Sequence, residues 1–171
     1  GGLNNVISYP LLPQVVIVEK ISEETKDIKT FRMITPEGGV PFSYMPGQCA
    51  MLSVPGVGEA IFSITSSPTE KFGLEFSIKK TGALTDYLHE IEEGDQLGIR
   101  GPYGNGFPIE ALQHKDLLFI GGGIGLAPLR SLIKYCLDNR QDFGEIDIVY
   151  GARTAKDLVH RVDLFENWPR A

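Results

Sequence analysis

The sequence is poor in cysteine, has no excess of positive charge and contains no long hydrophobic run. Its only cysteines are Cys49 and Cys136. An iron–sulfur cluster normally takes four thiolates, so we interpret both as small buried residues. No apolar run approaches the roughly 20 residues of a membrane-spanning helix. The net charge of −6 argues against binding to nucleic acid or to an anionic membrane, and we expect a cytoplasmic protein that binds neither.

Two common signatures of a binding site are also missing. His89, His114 and His160 have no metal-ligand spacing, so we predict no metal site and interpret all three as solvated or helix-capping residues. The Rossmann fingerprint is incomplete, because counting from Gly121 or Gly123 places a leucine or a proline where its third glycine belongs. A nucleotide site in this chain must therefore have another form.

A glycine-rich turn nevertheless lies between a predicted strand at 117–120 and a helix that Pro128 opens, and a second strand follows at 146–150. A helix N-terminus presents unpaired N–H groups, and only glycine lets a diphosphate approach the backbone closely. We therefore predict a parallel strand–turn–helix–strand unit that binds a nucleotide; the alternative is a glycine turn that binds nothing. The residues of the turn are Gly121, Gly122, Gly123, Ile124, Gly125, Ala127 and Pro128.

The segment before this unit predicts short strands. Leu74, Phe76 and Ile78 alternate with polar residues, which is the pattern of a half-buried strand. With five similar segments separated by turns, they predict a small closed barrel of six antiparallel strands. The predicted strands are residues 15–18, 30–34, 50–54, 61–65, 74–79 and 96–100.

A second anion site is predicted where the one helix of the barrel begins. Leu84, Leu88 and Ile91 share a helical face, which predicts a capping helix at 84–92. Its start combines a helix N-terminus, a glycine, hydroxyl groups and two lysines; the alternative is that the lysines only end a strand in solvent. The residues concerned are Lys79, Lys80, Gly82, Leu84 and Thr85. The chain thus divides into an N-terminal arm (1–14), a barrel domain (15–108) and a partial α/β domain (109–171).

Four motifs occur in order along the chain. They are Pro-Gly-Gln at 46–48, Phe-Ser-Ile at 62–64, residues 82–85 together with Gly-Pro-Tyr-Gly at 101–104, and residues 121–128. With these motifs the chain resembles the ferredoxin–NADP reductase superfamily of flavin- and pyridine-nucleotide-dependent reductases. Within it, the chain is most similar to electron-transfer subunits: the gamma subunits of nickel–iron hydrogenases, the B subunit of anaerobic sulfite reductase and the flavin subunit of dihydroorotate dehydrogenase.

The resemblance implies a site for FAD and a site for NAD or NADP. In the family, an Arg-x-Tyr-Ser motif places the arginine on the FAD pyrophosphate, the tyrosine on the isoalloxazine and the serine near N5. Here Ala60 replaces the arginine, Phe62 can still stack, and Ser63 is expected to be the catalytic residue. The residues carried over to FAD are Phe62, Ser63, Ile64, Ile78, Lys79, Lys80, Gly82, Leu84 and Thr85. Those carried over to NAD or NADP are the residues of the glycine turn and Arg153. For Arg153 the alternative is that it is an ordinary surface arginine near the end of the strand.

The resemblance also implies a function, namely a flavin-dependent oxidoreductase subunit. It would pass electrons between NAD(P)H and an iron–sulfur, hydrogenase- or reductase-type partner, by hydride transfer at flavin N5. The alternatives are a flavin-binding or scaffold module without turnover, and an unrelated barrel that binds only protein. Relative to the family, the later strands and the cysteine-rich tail that holds [2Fe–2S] are missing. We expect that the chain continues, or that a partner completes the sheet and carries the cluster.

Overall fold

The computed structural model describes residues 12–170. Of the arm predicted at 1–14, residues 1–11 lie outside the described residues, and Gln14 already belongs to the first strand. The described chain forms two units, a six-stranded antiparallel sheet followed by a two-stranded parallel sheet with helices. The predicted combination of an antiparallel β unit with a small parallel α/β unit is confirmed.

All six predicted strands of the first unit are present. They are β1 (Gln14–Thr25), β2 (Ile28–Ile34), β3 (Cys49–Val54), β4 (Gly58–Ser63), β5 (Leu74–Lys79) and β6 (Gln96–Tyr103). In β5, Leu74, Phe76 and Ile78 are fully buried, because alternate residues of a strand face the same side of the sheet. β4 begins earlier than predicted, since a turn at Gly56, whose φ is +78°, brings Gly58 opposite Val54.

The predicted closure of this sheet into a barrel is not seen as a continuous ladder. The strand order is β4-β3-β6-β1-β2-β5, with antiparallel neighbours, so β4 and β5 are its edges. One backbone hydrogen bond, from the N–H of Thr65 to the carbonyl of Glu75 at 2.9 Å, links the chain just after β4 to β5. The ladder stops there because β4 ends at Ser63, and the chain then turns through residues that bond among themselves, such as Glu70 to Ser67.

One short helix, α1 (Ala83–Leu88), packs on this sheet. The predicted extension to residue 92 is wrong, because the chain turns after Leu88 and the Nζ of Lys29 donates to the carbonyl of His89 at 2.8 Å. Leu88 and Ile91 are nevertheless buried, as the periodicity predicted, in the core that fills the inside of the sheet. That core is made chiefly of Val16, Val18, Phe31, Met33, Leu52, Ile64, Leu74, Phe76, Ile78, Leu88 and Ile99.

The second unit contains the glycine turn. Its elements are α2 (Ile109–Leu112), β7 (Leu117–Gly122), α3 (Leu126–Asp138) and β8 (Ile146–Gly151), with β7 and β8 parallel. Pro128 is the third residue of α3 rather than the first, but it still lies in the first turn, where its missing N–H has no helical partner to lose. Gly121 and Gly122 belong to β7, so the turn itself is the single 3₁₀ turn Gly123–Gly125.

The apolar face of α3 packs on one side of the two-stranded sheet. Phe119 from β7, Ile133 and Cys136 from α3, and Phe143 form the centre of this second core. Within the part of the chain that the structure describes, no helix is both long and apolar enough to cross a membrane. Ile28 of β2 also packs in this second core, which therefore reaches the first sheet.

Candidate functional site

We refer to the residues assigned to FAD as the flavin segment; its first half, Phe62, Ser63 and Ile64, lies at and just after the end of β4. Ser63 is half-buried and lies opposite Cys49 across the ladder, with 4.0 Å between Ser63 Oγ and Cys49 Sγ. Phe62 is half-buried and packs against the core, whereas Ile64 is completely buried. The N–H of Ile64 donates to the carbonyl of Gln48 at 3.2 Å. The hydroxyl of Ser63 is therefore the polar side-chain group that this strand end can offer a ligand.

The start of α1 and the end of β5 form the other half of the flavin segment. Ile78 is fully buried, while Lys79 and Lys80 are exposed. The hydroxyl of Thr85 accepts hydrogen bonds from the N–H groups of Thr81 and Gly82, at 2.7 and 2.9 Å. Thr85 thus shapes the helix start from within. The first N–H groups of the helix itself keep no intrahelical partner, and a Cβ at position 82 would meet nothing within 4 Å.

His89 is buried and is the C-cap residue of α1, so its interpretation as a capping residue is confirmed and its interpretation as a solvated residue is wrong. Its Nε2 lies 2.8 Å from the carbonyl of Ile78, and because a carbonyl only accepts, Nε2 carries the proton. His89 therefore fixes the end of α1 against β5 at Ile78, the residue before Lys79. Its position between Leu88 and Ile91, two members of the apolar stripe, was the only signal in the sequence.

The glycine turn has two kinds of glycine. A Cβ at Gly121 would approach Leu129 Cδ1 to 3.2 Å, so that glycine serves the packing of β7 against α3. A Cβ at Gly123 or Gly125 would meet nothing within 4 Å, and the φ of Gly123 is +55°. These two glycines leave open space before the N-terminus of α3. Tyr150 donates a hydrogen bond from its hydroxyl to the carbonyl of Gly123, which holds the turn in place.

The predicted residues of α3 itself face the protein. Ala127 is buried and Pro128 is half-buried. Of the turn, the backbone of Gly123, Ile124 and Gly125 is what remains available to a ligand, together with the first N–H groups of α3.

A cavity of about 720 Å³ lies at the carboxyl ends of β7 and β8. Ligands of open α/β sheets bind at this end of the strands. Four predicted site residues line the cavity: Lys79, Gly123, Ile124 and Arg153. The sequence did not reveal the contribution of the hairpin between β1 and β2 or of the chain after β8. These additional lining residues are Thr25, Lys26, Asp27, Ile28, Gly151, Ala152 and Asp157.

The cavity joins the two predicted sites only in part. Lys79 from the flavin segment shares it with the glycine turn, whereas Phe62, Ser63, Gly82 and Thr85 do not line it. Three cations, on Lys26, Lys79 and Arg153, face two carboxylates, on Asp27 and Asp157. Lys79 Nζ is 4.0 Å from Asp27 Oδ2, a separation at which an exposed pair contributes little. The cavity therefore offers positive charge to an anionic ligand.

Arg130 is a buried charged residue that the sequence did not identify. It lies on α3, and its Nη1 donates to the carbonyl of Thr65 at 2.9 Å while its Nε donates to Asp163 at 2.7 Å. Glu70 and Glu75 lie 3.6 Å from the same Nη1. Although burial opposes the charged guanidinium, the carboxylates of Asp163, Glu70 and Glu75 raise the pKa of Arg130 above its ordinary value.

His160 is buried and a chain of hydrogen bonds joins it to the first sheet, so for this histidine the interpretation as solvated or capping is wrong. His160 Nε2 is 2.9 Å from Ser77 Oγ, Ser77 Oγ is 2.8 Å from Thr30 Oγ1, and Thr30 donates to Glu24. Burial, with Arg130 as the next contributor, lowers the pKa of His160 to about 4. At neutral pH the imidazole is uncharged, so its 3.7 Å contact with Glu24 is not an ion pair. His114, by contrast, is exposed as expected.

Comparison with known protein families accounts for both units. The oxidoreductase FAD-binding domain family matches residues 15–107, and the oxidoreductase NAD-binding domain family matches residues 119–170. The sulfhydrogenase 1 gamma subunit of Pyrococcus furiosus is 43% identical over 141 residues, covering 82% of this chain and 48% of that protein. A probable dihydroorotate dehydrogenase B electron transfer subunit of Thermococcus kodakarensis is 35% identical over 145 residues, covering 85% and 55%.

Solved structures agree on the fold. Ferredoxin–NADP⁺ reductase from Plasmodium falciparum superimposes with a TM-score of 0.75 at 18% identity, over 91% of this chain and 66% of that one. The chain spans about half the length of the curated relatives it matches. With an FAD-binding match over more than half of its length and an NAD-binding match after it, the chain belongs to the oxidoreductase FAD-binding domain family, and it shares the fold of the ferredoxin–NADP⁺ reductases.

Proposed function

We propose that this chain is the flavin- and pyridine-nucleotide-binding part of an oxidoreductase subunit that passes electrons between NAD(P)H and an iron–sulfur partner. The observation that carries the proposal is the cavity in which Lys79 of the flavin segment shares one space with the glycine turn and Arg153. In this proposal residues 15–108 bind FAD and residues 109–171 bind NAD or NADP. A cytoplasmic location stays a prediction.

The residues present fit a flavin that carries a diphosphate. The start of α1 has open space at Gly82 and unpaired N–H groups, and the exposed Lys79 and Lys80 precede it. These lysines replace the charge of the arginine that the family has at position 60. Phe62 would stack on the ring and the hydroxyl of Ser63 would donate a hydrogen bond to it. When bound, FAD supplies the chemistry, taking up a hydride and releasing electrons singly.

Several other predicted residues act through packing. Ile64 and Ile78 are fully buried, and the N–H of Ile64 and the carbonyl of Ile78 are already bonded to Gln48 and His89, so these two residues would shape the site from within. Leu84 packs against the core and fixes the start of α1. This division of roles explains how apolar positions belong to a cofactor site.

The glycine turn would hold the pyridine nucleotide. Gly123 and Gly125 leave room for a diphosphate at the start of α3, whose N–H groups and dipole favour an anion. Arg153, after β8, would meet the ribose end. The chain's task is then to orient the nicotinamide towards the flavin and to exclude water between them.

The iron–sulfur centre is assigned to a partner subunit or to sequence beyond this chain. Cys49 begins β3 and Cys136 is buried within α3, so they lie in different units. Burial raises the pKa of the Cys136 thiol to about 11, which keeps it protonated and a poor metal ligand. The relatives, a sulfhydrogenase gamma subunit and an electron transfer subunit, support a partner of this kind.

The test is anaerobic reduction, by NADH and by NADPH, of the protein purified with the flavin that it binds in the cell. We expect the flavin absorbance near 450 nm to bleach, and chromatography of the released cofactor to identify FAD. FMN in place of FAD would contradict the diphosphate site at α1. A yellow protein that neither nucleotide bleaches would contradict the reductase function.

The second candidate is a flavin-binding module without turnover. Ala60 favours it, because an alanine cannot bind the pyrophosphate as the family's arginine does. This candidate predicts FAD binding without reduction. If neither nucleotide raises the melting temperature, an interaction domain that binds only protein remains.

A further inference from the structure

We propose that Arg130 is a positioning residue for hydride transfer: it fixes the start of α3, and with it the glycine turn, against the chain that follows Ser63. The inference rests on the proposed function, since it concerns how the two ligand sites are held in register. Arg130 lies on the same helix whose N-terminus faces the cavity, and it is 8% exposed. It is therefore placed between the two units rather than in the site.

Two hydrogen bonds fix the orientation of the Arg130 guanidinium. Its Nη1 donates to the carbonyl of Thr65, which follows Ser63 and Ile64 in the chain, at 2.9 Å. Its Nε donates to Asp163, in the chain after β8, at 2.7 Å. One planar guanidinium thus fixes the chain just after β4 and the chain after β8 at the same time.

The surrounding carboxylates keep the guanidinium in place. Glu70 comes from the connection after β4, Glu75 from β5 and Asp163 from the second unit. The single positive charge of Arg130 thereby attracts acids from three separate segments, and it orders those segments relative to α3. A lysine would retain the charge but lacks the planar fork of donors, so it cannot reach Thr65 and Asp163 with the same geometry.

The consequence for function is geometric. Hydride transfer requires the donor and acceptor rings within near-contact distance, and a displacement of about 1 Å from a remote change can slow a reaction about 100-fold. The Ser63 segment and the glycine turn belong to different units. A residue that bonds to both sides therefore sets the separation of the rings without touching either ligand.

The experiment compares Arg130→Lys with Arg100→Lys in the FAD-loaded protein. Arg100 is the matched control, because it also pairs with a carboxylate, that of Glu59 at 2.9 Å, but within the first sheet only. The readouts are the limiting rate constant of flavin reduction and the dissociation constant of NADH, from stopped-flow absorbance. We expect Arg130→Lys to lower the limiting rate about tenfold or more, while the dissociation constant changes less than about threefold. Arg100→Lys should change neither.

A second readout requires no activity. In the protein without ligands, Arg130→Lys should increase amide hydrogen exchange in peptides that contain residues 64–67 and 121–126, whereas Arg100→Lys should leave those peptides unchanged. If Arg130→Lys fails to fold, Asp163→Asn provides the same comparison, since it weakens the Nε contact and leaves the charge of Arg130. Asp163→Asn should shift both readouts in the same direction by a smaller factor.

Equal limiting rates in wild type and Arg130→Lys, or equal losses in both lysine variants, would overturn the inference. A lower melting temperature with an unchanged rate would reduce Arg130 to a stability role and overturn it as well. Failure of both NADH and NADPH to reduce the wild-type flavin would instead overturn the proposed function. In that case the hydrogen exchange comparison still decides whether Arg130 holds the two segments together.

Discussion

Alanine at position 125 should leave the fold intact and weaken the binding of NAD(H). Gly125 has φ −60° and ψ −17°, an ordinary helical conformation for any residue, and a Cβ there would meet nothing within 4 Å. Gly→Ala at such a site stabilises by about 0.4–1 kcal/mol through the unfolded state. For a chain of 171 residues, this corresponds to a rise in melting temperature of about 1–4 °C.

The same methyl group would occupy the space in front of α3 where the diphosphate is proposed to bind. Hydrogen bonds to charged groups contribute about 1.5–3 kcal/mol each. Loss of one such bond weakens binding about 10–100-fold, since about 1.4 kcal/mol corresponds to a factor of ten. We therefore expect the melting temperature and the affinity to move in opposite directions in Gly125→Ala.

Thermal unfolding and calorimetric titration of the apoprotein with NADH provide the two measurements. Gly82→Ala is the matched control, because its φ of 179° is extended and its Cβ would also meet open space, but it lies at the flavin site. It should bind NADH like wild type and bind FAD more weakly. If Gly125→Ala binds NADH with wild-type affinity, the glycine turn does not hold the diphosphate.

Three further outcomes test other parts of the site. Ser63→Ala should slow flavin reduction by NAD(P)H about fivefold, the equivalent of one ordinary hydrogen bond of about 1 kcal/mol, with flavin content unchanged; an unchanged stopped-flow rate removes Ser63 from the mechanism. Ala60→Arg should tighten FAD binding but not riboflavin binding, which equilibrium fluorescence titration measures, and equal effects on both would contradict a phosphate contact. Burial lowers the pKa of His160 from about 6.5 in the unfolded chain to about 4 in the folded one. The stabilisation by the neutral imidazole is therefore complete above about pH 6.5, and the free energy of unfolding falls by about 3 kcal/mol as the pH falls towards 4. Urea unfolding across this range should show a smaller loss in His160→Gln, and identical pH dependence would refute the assignment.

The sequence was informative where local pattern decides structure. The alternation of Leu74, Phe76 and Ile78 predicted β5, because a period of two places all three on one buried face. The glycine turn was located correctly because glycine, a buried strand and an apolar helix follow one another within a short segment. Its details were less accurate, since Gly121 and Gly122 continue the strand.

Features that depend on distant partners could not be predicted in the same way. Arg130 meets the carbonyl of Thr65, and His160 meets Glu24, only through tertiary packing across 65 and 136 positions in the chain. An arginine on a helix or a histidine after a strand is commonly exposed to solvent. The local sequence therefore did not indicate that these two residues are buried and paired. The open edge between β4 and β5 likewise depends on where the connecting chain turns, which periodicity does not reveal.

The hydroxyl of Tyr150 bonds to the carbonyl of Gly123 and also accepts the N–H of Val159, at 3.4 Å. Glycine-rich segments normally lose much conformational freedom when they are ordered. Here a side chain from the neighbouring strand has already restrained the most permissive residue before any nucleotide arrives. Binding of the dinucleotide would consequently need little reorganisation of this segment. In Tyr150→Phe, the entropic cost of ordering the turn would instead lower the affinity for the nucleotide.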